Sequence, residues 1–260
     1  MIVALLFVVL LGLAIGSFLN VVIWRVPRGE SIVTPESACP RCGHPIRRRD
    51  NVPVLSWLLL RGRCRDCGER IALRYPVVEA LTGILFAAAA WHWGITWSLP
   101  AYLYLASIAL ALTLIDLDSR RLPDAIVLPS YPVVIALLAV ASWAPGVSSD
   151  WLALERALIG GLALFGLYFL LMVAYPAGTG FGDVKLAGVL GLYLGWVGWG
   201  SLVVGWFAAY LFGGLFSIGL MLAGRAARKT RIPFGPWMFL GAAVGVVWGG
   251  QITDWYLSFL

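Results

Sequence analysis

The chain has 260 residues, of which 61% are hydrophobic and only 12% are charged, and its mean hydropathy is +0.89. Soluble globular proteins carry about 25% charged residues, so this composition excludes a soluble protein and predicts a polytopic membrane protein. The formal net charge is +6, but the basic residues lie mostly where membrane topology alone would place them. We therefore expect contact with the lipid bilayer and no nucleic-acid partner.

Eight apolar segments are candidates for membrane spans, since a helix needs about 20 residues to cross the hydrocarbon core. The sixth and seventh come from one apolar stretch, which we divide at the sequence GWVGWG. In chain order the predicted spans are residues 2–24, 76–95, 99–115, 125–144, 151–175, 184–199, 201–224 and 233–253.

The distribution of positive charge supports this count and predicts the orientation. Eighteen of the 19 Lys and Arg residues fall in four places, residues 25–74, 120–121, 185 and 225–231. With eight spans, these all lie on one side of the membrane and Arg156 lies alone on the other. The positive-inside rule then predicts an N-out, C-out protein with these basic segments in the cytoplasm. Arg25 and Arg28 follow the first span, and no basic residue precedes it, so we expect an anchor and not a cleaved signal peptide.

The one sizeable polar segment, between the first two spans, contains all four cysteines. They form the pairs Cys39-Pro-Arg-Cys42 and Cys64-Arg-Asp-Cys67, with 21 residues between the pairs. Two such pairs are typical of a zinc ribbon, in which four thiolates surround one structural metal ion. His44 could substitute as a ligand, but four thiolates suffice. Disulfides or a redox pair are the alternative, which a cytoplasmic location disfavours.

These observations predict an all-α polytopic membrane protein of about eight transmembrane helices with a small cytoplasmic, zinc-ribbon-like loop domain. A loop of this size has too small a core to fold easily alone, so a metal staple is physically reasonable. We divide the chain into a first transmembrane helix at 1–24, a zinc-binding loop domain with the four cysteines at 25–75, and a seven-helix membrane core at 76–260.

Acidic residues near the third and fourth spans are candidates for chemistry, because carboxylates at membrane depth are costly. Asp116 continues the deeper apolar span, and Asp118 follows it in the sequence IDLDSRRLPD. Residues two apart on a helix point in roughly opposite directions, so these two side chains cannot both face one partner. Asp124 lies where the N-cap of the next helix is expected.

A glycine-rich stretch, AGTGFGDVKLAG at residues 177–188, places Asp183 at the start of the sixth span. A dinucleotide-binding loop would need the pattern GxGxxG in a βαβ unit, and neither is found here. Asp183 is either an N-cap or a functional acid on the same face of the membrane as Asp116. Two neighbouring carboxylates can share a proton, so that one activates water while the other protonates a carbonyl oxygen, as in aspartic proteases.

These segments resemble the bacterial type IV prepilin leader peptidases, which belong to the GxGD class of intramembrane aspartyl proteases. The resemblance covers nearly the whole chain and includes the paired CxxC loop. It is carried also by GSFLNVVIWRVP at 16–27, RYPVVEALTG at 74–83, IDLDSRRLPD at 115–124, GTGFGDVKL at 178–186 and IPFGPWMFLGA at 232–242.

The resemblance implies a catalytic dyad of Asp116, seven residues before Pro123, and Asp183 of the GFGD motif. Asp118 is the alternative partner of Asp183. The residues expected around the dyad are Asp118, Asp124, Lys185, Gly180 and Gly182.

The same resemblance implies an activity at the cytoplasmic face of the bacterial inner membrane. Members of this family cut the basic leader after a glycine from type IV prepilins and from the pseudopilins of type II secretion. Many then methylate the new amino terminus with S-adenosylmethionine, for which the neighbourhood of Glu79 is a candidate; Glu79 could instead pair with Arg74. The alternatives are a peptidase without methyl transfer and, from another class, an ion-coupled transporter.

Overall fold

The computed structural model describes residues 2–176, 178–225, 227 and 232–259. Within these ranges the chain is helical, and its only β pairing consists of two isolated bridges in the cysteine-containing loop. The helices are α1 Ile2–Arg25, α2 Leu55–Leu59, α3 Arg74–Trp93, α4 Leu99–Ser119, α5 Asp124–Trp143, α6 Trp151–Ala174, α7 Phe181–Val197, α8 Trp199–Leu222 and α9 Gly235–Leu257. The predicted all-α class is confirmed.

Each of the eight predicted spans coincides with one long helix, and α2 is a short helix of the loop. Five helices in the described part of the chain, α1, α4, α5, α6 and α8, are long and apolar enough to cross a membrane. The chain is therefore a multi-pass membrane protein. The helices α3, α7 and α9 complete the predicted set, and a total of eight crossings stays a prediction.

The long apolar stretch after Asp183 breaks where the sequence indicated. Helix α7 ends at Val197, and α8 begins at Trp199, so Gly198 separates two helices within GWVGWG. The predicted basic segment at 225–231 lies mostly outside the described residues, which include only Arg225 and Ala227 of it.

Packing divides the chain into two compact units, Met1–Leu114 and Ile115–Leu260. This division does not test the predicted boundaries at residues 24 and 75, which stay predictions. In the first unit, α1 and α3 run antiparallel at close approach. A Cβ atom added at Gly12 would lie 2.9 Å from the Gly83 Cα atom, and one added at Gly16 would lie 2.7 Å from the Glu79 Cα atom. The GxxxG face of α1 is therefore a helix contact.

In the second unit, α7 is the central helix and is buried along most of its length. Its glycines admit the neighbouring helices: a Cβ atom at Gly191 would lie 2.9 Å from the Gly161 Cα atom of α6, and one at Gly188 would meet the ring of Tyr131 of α5. The contact of α7 with the segment that follows α4 is made through Gly182, which lies beside Leu122.

Candidate active site and metal centre

Asp116 lies in the last turn of α4 and is 5% exposed. Its Oδ2 atom accepts a hydrogen bond from the backbone N–H of Gly235, the first residue of α9, at 2.9 Å. Helix α4 continues to Ser119, so Asp118 points away from this contact, and its side chain is exposed. Of the two acids that the sequence left as alternatives, Asp116 is thus the buried one.

Asp183 is the third residue of α7, and Gly180 occupies the N-cap position. The Asp183 Oδ2 atom accepts the Gly180 backbone N–H at 3.1 Å, which is how an acidic residue at the third helical position satisfies an orphan donor at a helix start. Asp183 is therefore not the N-cap itself. Its carboxylate lies within electrostatic range of the Asp116 carboxylate.

Leu122 separates the backbones that hold the two acids. A Cβ atom at Gly182 would lie 3.2 Å from the Leu122 Cβ atom, and one at Gly235 would lie 2.9 Å from the Asp116 Oδ2 atom. A side chain at either glycine would displace Leu122 or the carboxylate. Sequence reasoning missed Leu122 and Gly235, although Gly235 lies in a segment that carried the family resemblance.

Asp124 and Lys185 form an ion pair between the starts of α5 and α7. Asp124 is the first residue of α5 and makes no side-chain capping bond, since the N-cap position belongs to Pro123. The N-cap prediction was therefore wrong by one residue. The Lys185 carbonyl accepts a hydrogen bond from the Tyr131 hydroxyl at 2.7 Å, which ties the same two helices together just beyond Asp183.

Two tyrosines that sequence reasoning did not select lie within electrostatic range of Asp183 on the neighbouring helices. Tyr168 of α6 is 2% exposed, and both Tyr168 and Tyr210 of α8 interact electrostatically with the Asp183 carboxylate. Their ring centroids are 5.7 Å apart, and the Tyr210 ring lies 5.1 Å from that of Phe234. Phe234 precedes Gly235, whose N–H donates to Asp116. A row of neighbouring aromatic rings therefore connects the surroundings of both acids.

The cysteines form two knuckles of the same construction. The Cys39 N–H donates to the His44 carbonyl at 3.0 Å, and the Gly43 N–H donates back to the Cys39 carbonyl at 2.9 Å. In the second knuckle, the Cys64 N–H donates to the Glu69 carbonyl at 2.8 Å and the Gly68 N–H donates to the Cys64 carbonyl at 3.0 Å. Gly43 and Gly68 have φ angles of +71° and +72°, which a glycine adopts without strain.

The four sulfur atoms fit one tetrahedral metal ion. They lie within 4.8 Å of one another, and Cys39 Sγ is 3.7 Å from Cys67 Sγ. A tetrahedron with metal–sulfur bonds of about 2.3 Å has sulfur–sulfur edges of about 3.8 Å. Among the described residues no other group of His, Cys, Asp and Glu forms such a cluster, and His44 is not a member. These cysteines could therefore hold a metal ion.

The thiols of the cluster influence one another's pKa values. The backbone N–H groups of Cys42 and Arg41 lower the pKa of Cys39 to about 6. The Glu69 N–H favours a thiolate at Cys67, yet desolvation and the neighbouring thiols raise its pKa to about 12. Four thiolates this close can form together only when a cation balances their charge.

Ion pairs join the two knuckles around the cluster. Arg41 of the first knuckle pairs with Glu69 of the second, and Arg47 pairs with Asp66 at 2.7 Å. The Arg41 guanidinium lowers the pKa of the Glu69 carboxyl. Exposed pairs of this kind contribute little individually.

Glu79 is 9% exposed in the second turn of α3. Its Oε2 atom accepts the backbone N–H of Val54 at 2.7 Å, and Val54 has a φ angle of +61°. Glu79 thus bonds to the loop backbone, and its pairing with the Arg74 side chain stays a prediction. Glu79 ties the loop domain to α3.

Comparison with known proteins identifies both parts of the chain. Residues 10–93 match the bacterial peptidase A24 N-terminal domain, and residues 103–218 match the type IV leader peptidase family. No solved structure matches the chain.

Curated relatives match over almost the whole length. A prepilin leader peptidase/N-methyltransferase of Pseudomonas aeruginosa is 37% identical over 96% of this chain and 92% of its own length. Proteins of the same name from Aeromonas salmonicida and Neisseria gonorrhoeae are 37% and 33% identical, over 96% and 95% of this chain and 93% of each relative. The chain therefore belongs to the type IV leader peptidase family.

Proposed function

We propose that this protein removes the basic leader peptide after a glycine from type IV prepilins and from pseudopilins of type II secretion. We further propose that it methylates the new amino terminus with S-adenosylmethionine. The observation that carries the peptidase proposal is the pair Asp116 and Asp183, two carboxylates held by glycine N–H groups at two helix starts, within electrostatic range of each other.

The arrangement suits general acid and base catalysis by two carboxylates. Each Oδ2 atom is held by one backbone N–H, while neither Oδ1 atom has a hydrogen-bond partner among the described residues. These Oδ1 atoms are available to a water molecule and to the scissile carbonyl oxygen. In our proposal, one carboxylate removes a proton from the water as it attacks, and the other, protonated, donates to the carbonyl oxygen.

Neighbouring groups position the dyad without touching the reacting atoms. Gly180 donates to Asp183, and Gly182 lets Leu122 pack beneath it. The ion pair of Asp124 with Lys185 holds the starts of α5 and α7 together. Asp118 is exposed, and we assign it no catalytic role.

Methyl transfer rests on the name that the relatives share, which implies S-adenosylmethionine as the methyl donor. We place this reaction near Glu79 and the loop domain, where a buried carboxylate meets the loop backbone. The four cysteines would hold zinc, the usual ion of a closed site with four thiolate ligands, and its contribution would be to the folding of the loop. We propose an N-out, C-out orientation, with this loop and the dyad at the cytoplasmic face of the inner membrane.

Product masses test the proposal directly. The purified protein is incubated in detergent with a prepilin, with and without S-adenosylmethionine. We expect loss of the leader in both reactions and one added methyl group only with the donor. Asp183→Ala should abolish cleavage. Cleavage that persists in this variant would exclude the dyad, cleavage without a methyl increment would leave a peptidase alone, and an intact prepilin would reopen the ion-transport alternative.

A further inference from the structure

The short helix α2 has one face directed into the loop domain. The Ser56 hydroxyl donates to the Arg49 carbonyl at 3.1 Å and accepts the Val52 N–H at 3.0 Å. The Trp57 indole N–H donates to the Ile71 carbonyl at 3.1 Å. These bonds fix the rotation of α2, so its opposite face must point away from the domain.

The outward face of α2 is apolar and exposed. Leu55, Leu58 and Leu59 are 51%, 58% and 73% exposed. Their spacing of three and four residues places them together on one side of the helix. Three adjacent exposed leucines on a folded domain indicate a surface that another apolar phase covers.

The position of α2 beside the ends of the membrane helices indicates that this apolar phase is the lipid bilayer. The residue before α2, Val54, bonds to Glu79, which lies five residues into α3, about 7.5 Å along its axis. Asn20 of α1, near the end of a helix apolar enough to span, donates to the Tyr75 carbonyl at 3.1 Å. The starts of α2 and α3 therefore lie level with the last turns of α1.

Side chains typical of a membrane interface surround this level. Trp24 at the end of α1 is 56% exposed and Tyr75 is 46% exposed, as in the aromatic belts of membrane proteins. Arg61 and Arg63 follow α2 and are exposed. Basic residues at this position favour anionic headgroups.

We propose that α2 is an interfacial anchor, whose leucines insert into the headgroup region of an anionic bilayer and hold the cysteine-containing domain against the membrane. An interfacial helix buries its apolar face by about 5–10 Å, which agrees with the depth at which Glu79 holds Val54. The anchor restricts the loop domain to the membrane surface, where a membrane-bound substrate would meet it.

Photocrosslinking in vesicles of phosphatidylethanolamine and phosphatidylglycerol tests the contact. A benzophenone amino acid is placed at Leu59, or at the exposed His44 of the first cysteine knuckle as the matched control. We expect phospholipid adducts, detected by mass, at position 59. At position 44 we expect at least about tenfold fewer adducts, because burial of one leucine side chain favours the membrane-inserted state by about tenfold or more. Equal numbers of lipid adducts at both positions would overturn the proposal. Crosslinking of position 59 to an added prepilin, in place of lipid, would also overturn it.

A second measurement does not depend on the probe. In vesicles with the loop facing outward, Leu58→Gln/Leu59→Gln should increase the rate of tryptic cleavage after Arg61 and Arg63 by at least about tenfold. Cleavage after Arg70 and the metal content should not change, because both report the folding of the domain itself. An unchanged rate at Arg61 and Arg63 would also overturn the anchor.

Discussion

The neighbouring acids Asp116 and Asp118 show how two residues of the same type acquire different environments. Both lie within α4, which continues through Ser119, so their side chains point in different directions. Asp116 faces the Gly235 N–H, whereas Asp118 is exposed. A buried carboxylate is costly unless it is hydrogen bonded, and one backbone donor offsets only part of that cost, which leaves Asp116 suited to exchange a proton.

Isosteric amides at these two positions test the assignment. Asp116→Asn leaves only one carboxylate in the dyad, so that acid and base cannot act together, and we expect kcat for leader cleavage to fall by at least about 100-fold. Asp118→Asn is the matched control, and we expect its kcat to remain near that of the wild type. Cleavage rates of a purified prepilin give both values. A large loss in the Asp118 variant alone would transfer the dyad role to Asp118.

At the scale of elements, the cysteine knuckles are short loops with almost no apolar core. Each is closed by two backbone hydrogen bonds, and exposed ion pairs connect them. Such bonds compete with water, and their net contribution is small. The metal ion that the sulfur atoms fit would therefore supply most of the folding free energy of this domain, because metal binding and folding are coupled in small thiolate sites.

Removal of the metal should unfold the loop selectively. We expect about one zinc ion per chain, lost on strong chelation or in Cys67→Ser, with rapid tryptic cleavage between residues 39 and 70. His44→Ala is the matched control and should keep its metal, since His44 is not part of the sulfur cluster. Elemental analysis and limited proteolysis measure these changes. Full protection of the loop after complete metal loss would contradict a structural role.

The helices could be predicted closely, whereas the partners of the site residues could not. Hydropathy and glycine placement predicted each long helix because spans are defined by local composition. The donor to Asp116 lies 119 positions away at Gly235, and Lys185 pairs with Asp124 across 61 positions. Such contacts depend on which helices become neighbours, and one sequence does not encode that in any local pattern. The capping prediction for Asp124 failed for a different, local reason, since α5 begins one residue earlier than expected and Pro123 occupies the N-cap position.

For the whole molecule, the break at Gly198 determines how the charge distribution is interpreted. Because α7 and α8 are separate helices, an even number of long helices separates the loop at 25–75 from the basic segment at 225–231. If each of these helices crosses the membrane, both segments lie on one side of it, as the positive-inside rule requires. If α7 and α8 crossed as one span, these basic segments would face opposite sides.

Reporter fusions test this topology. Alkaline phosphatase, which is active only outside the cytoplasm, should be active when fused after Trp97 or Val147, in the loops that follow α3 and α5. It should be inactive after Ser119 or Gly224, because an odd number of predicted spans separates each of these points from the outward-facing amino terminus. A fluorescent protein that matures only in the cytoplasm should give the opposite pattern at the same four positions. Phosphatase activity after Gly224 would mean that α7 and α8 do not cross separately, and the eight-span arrangement would then be wrong.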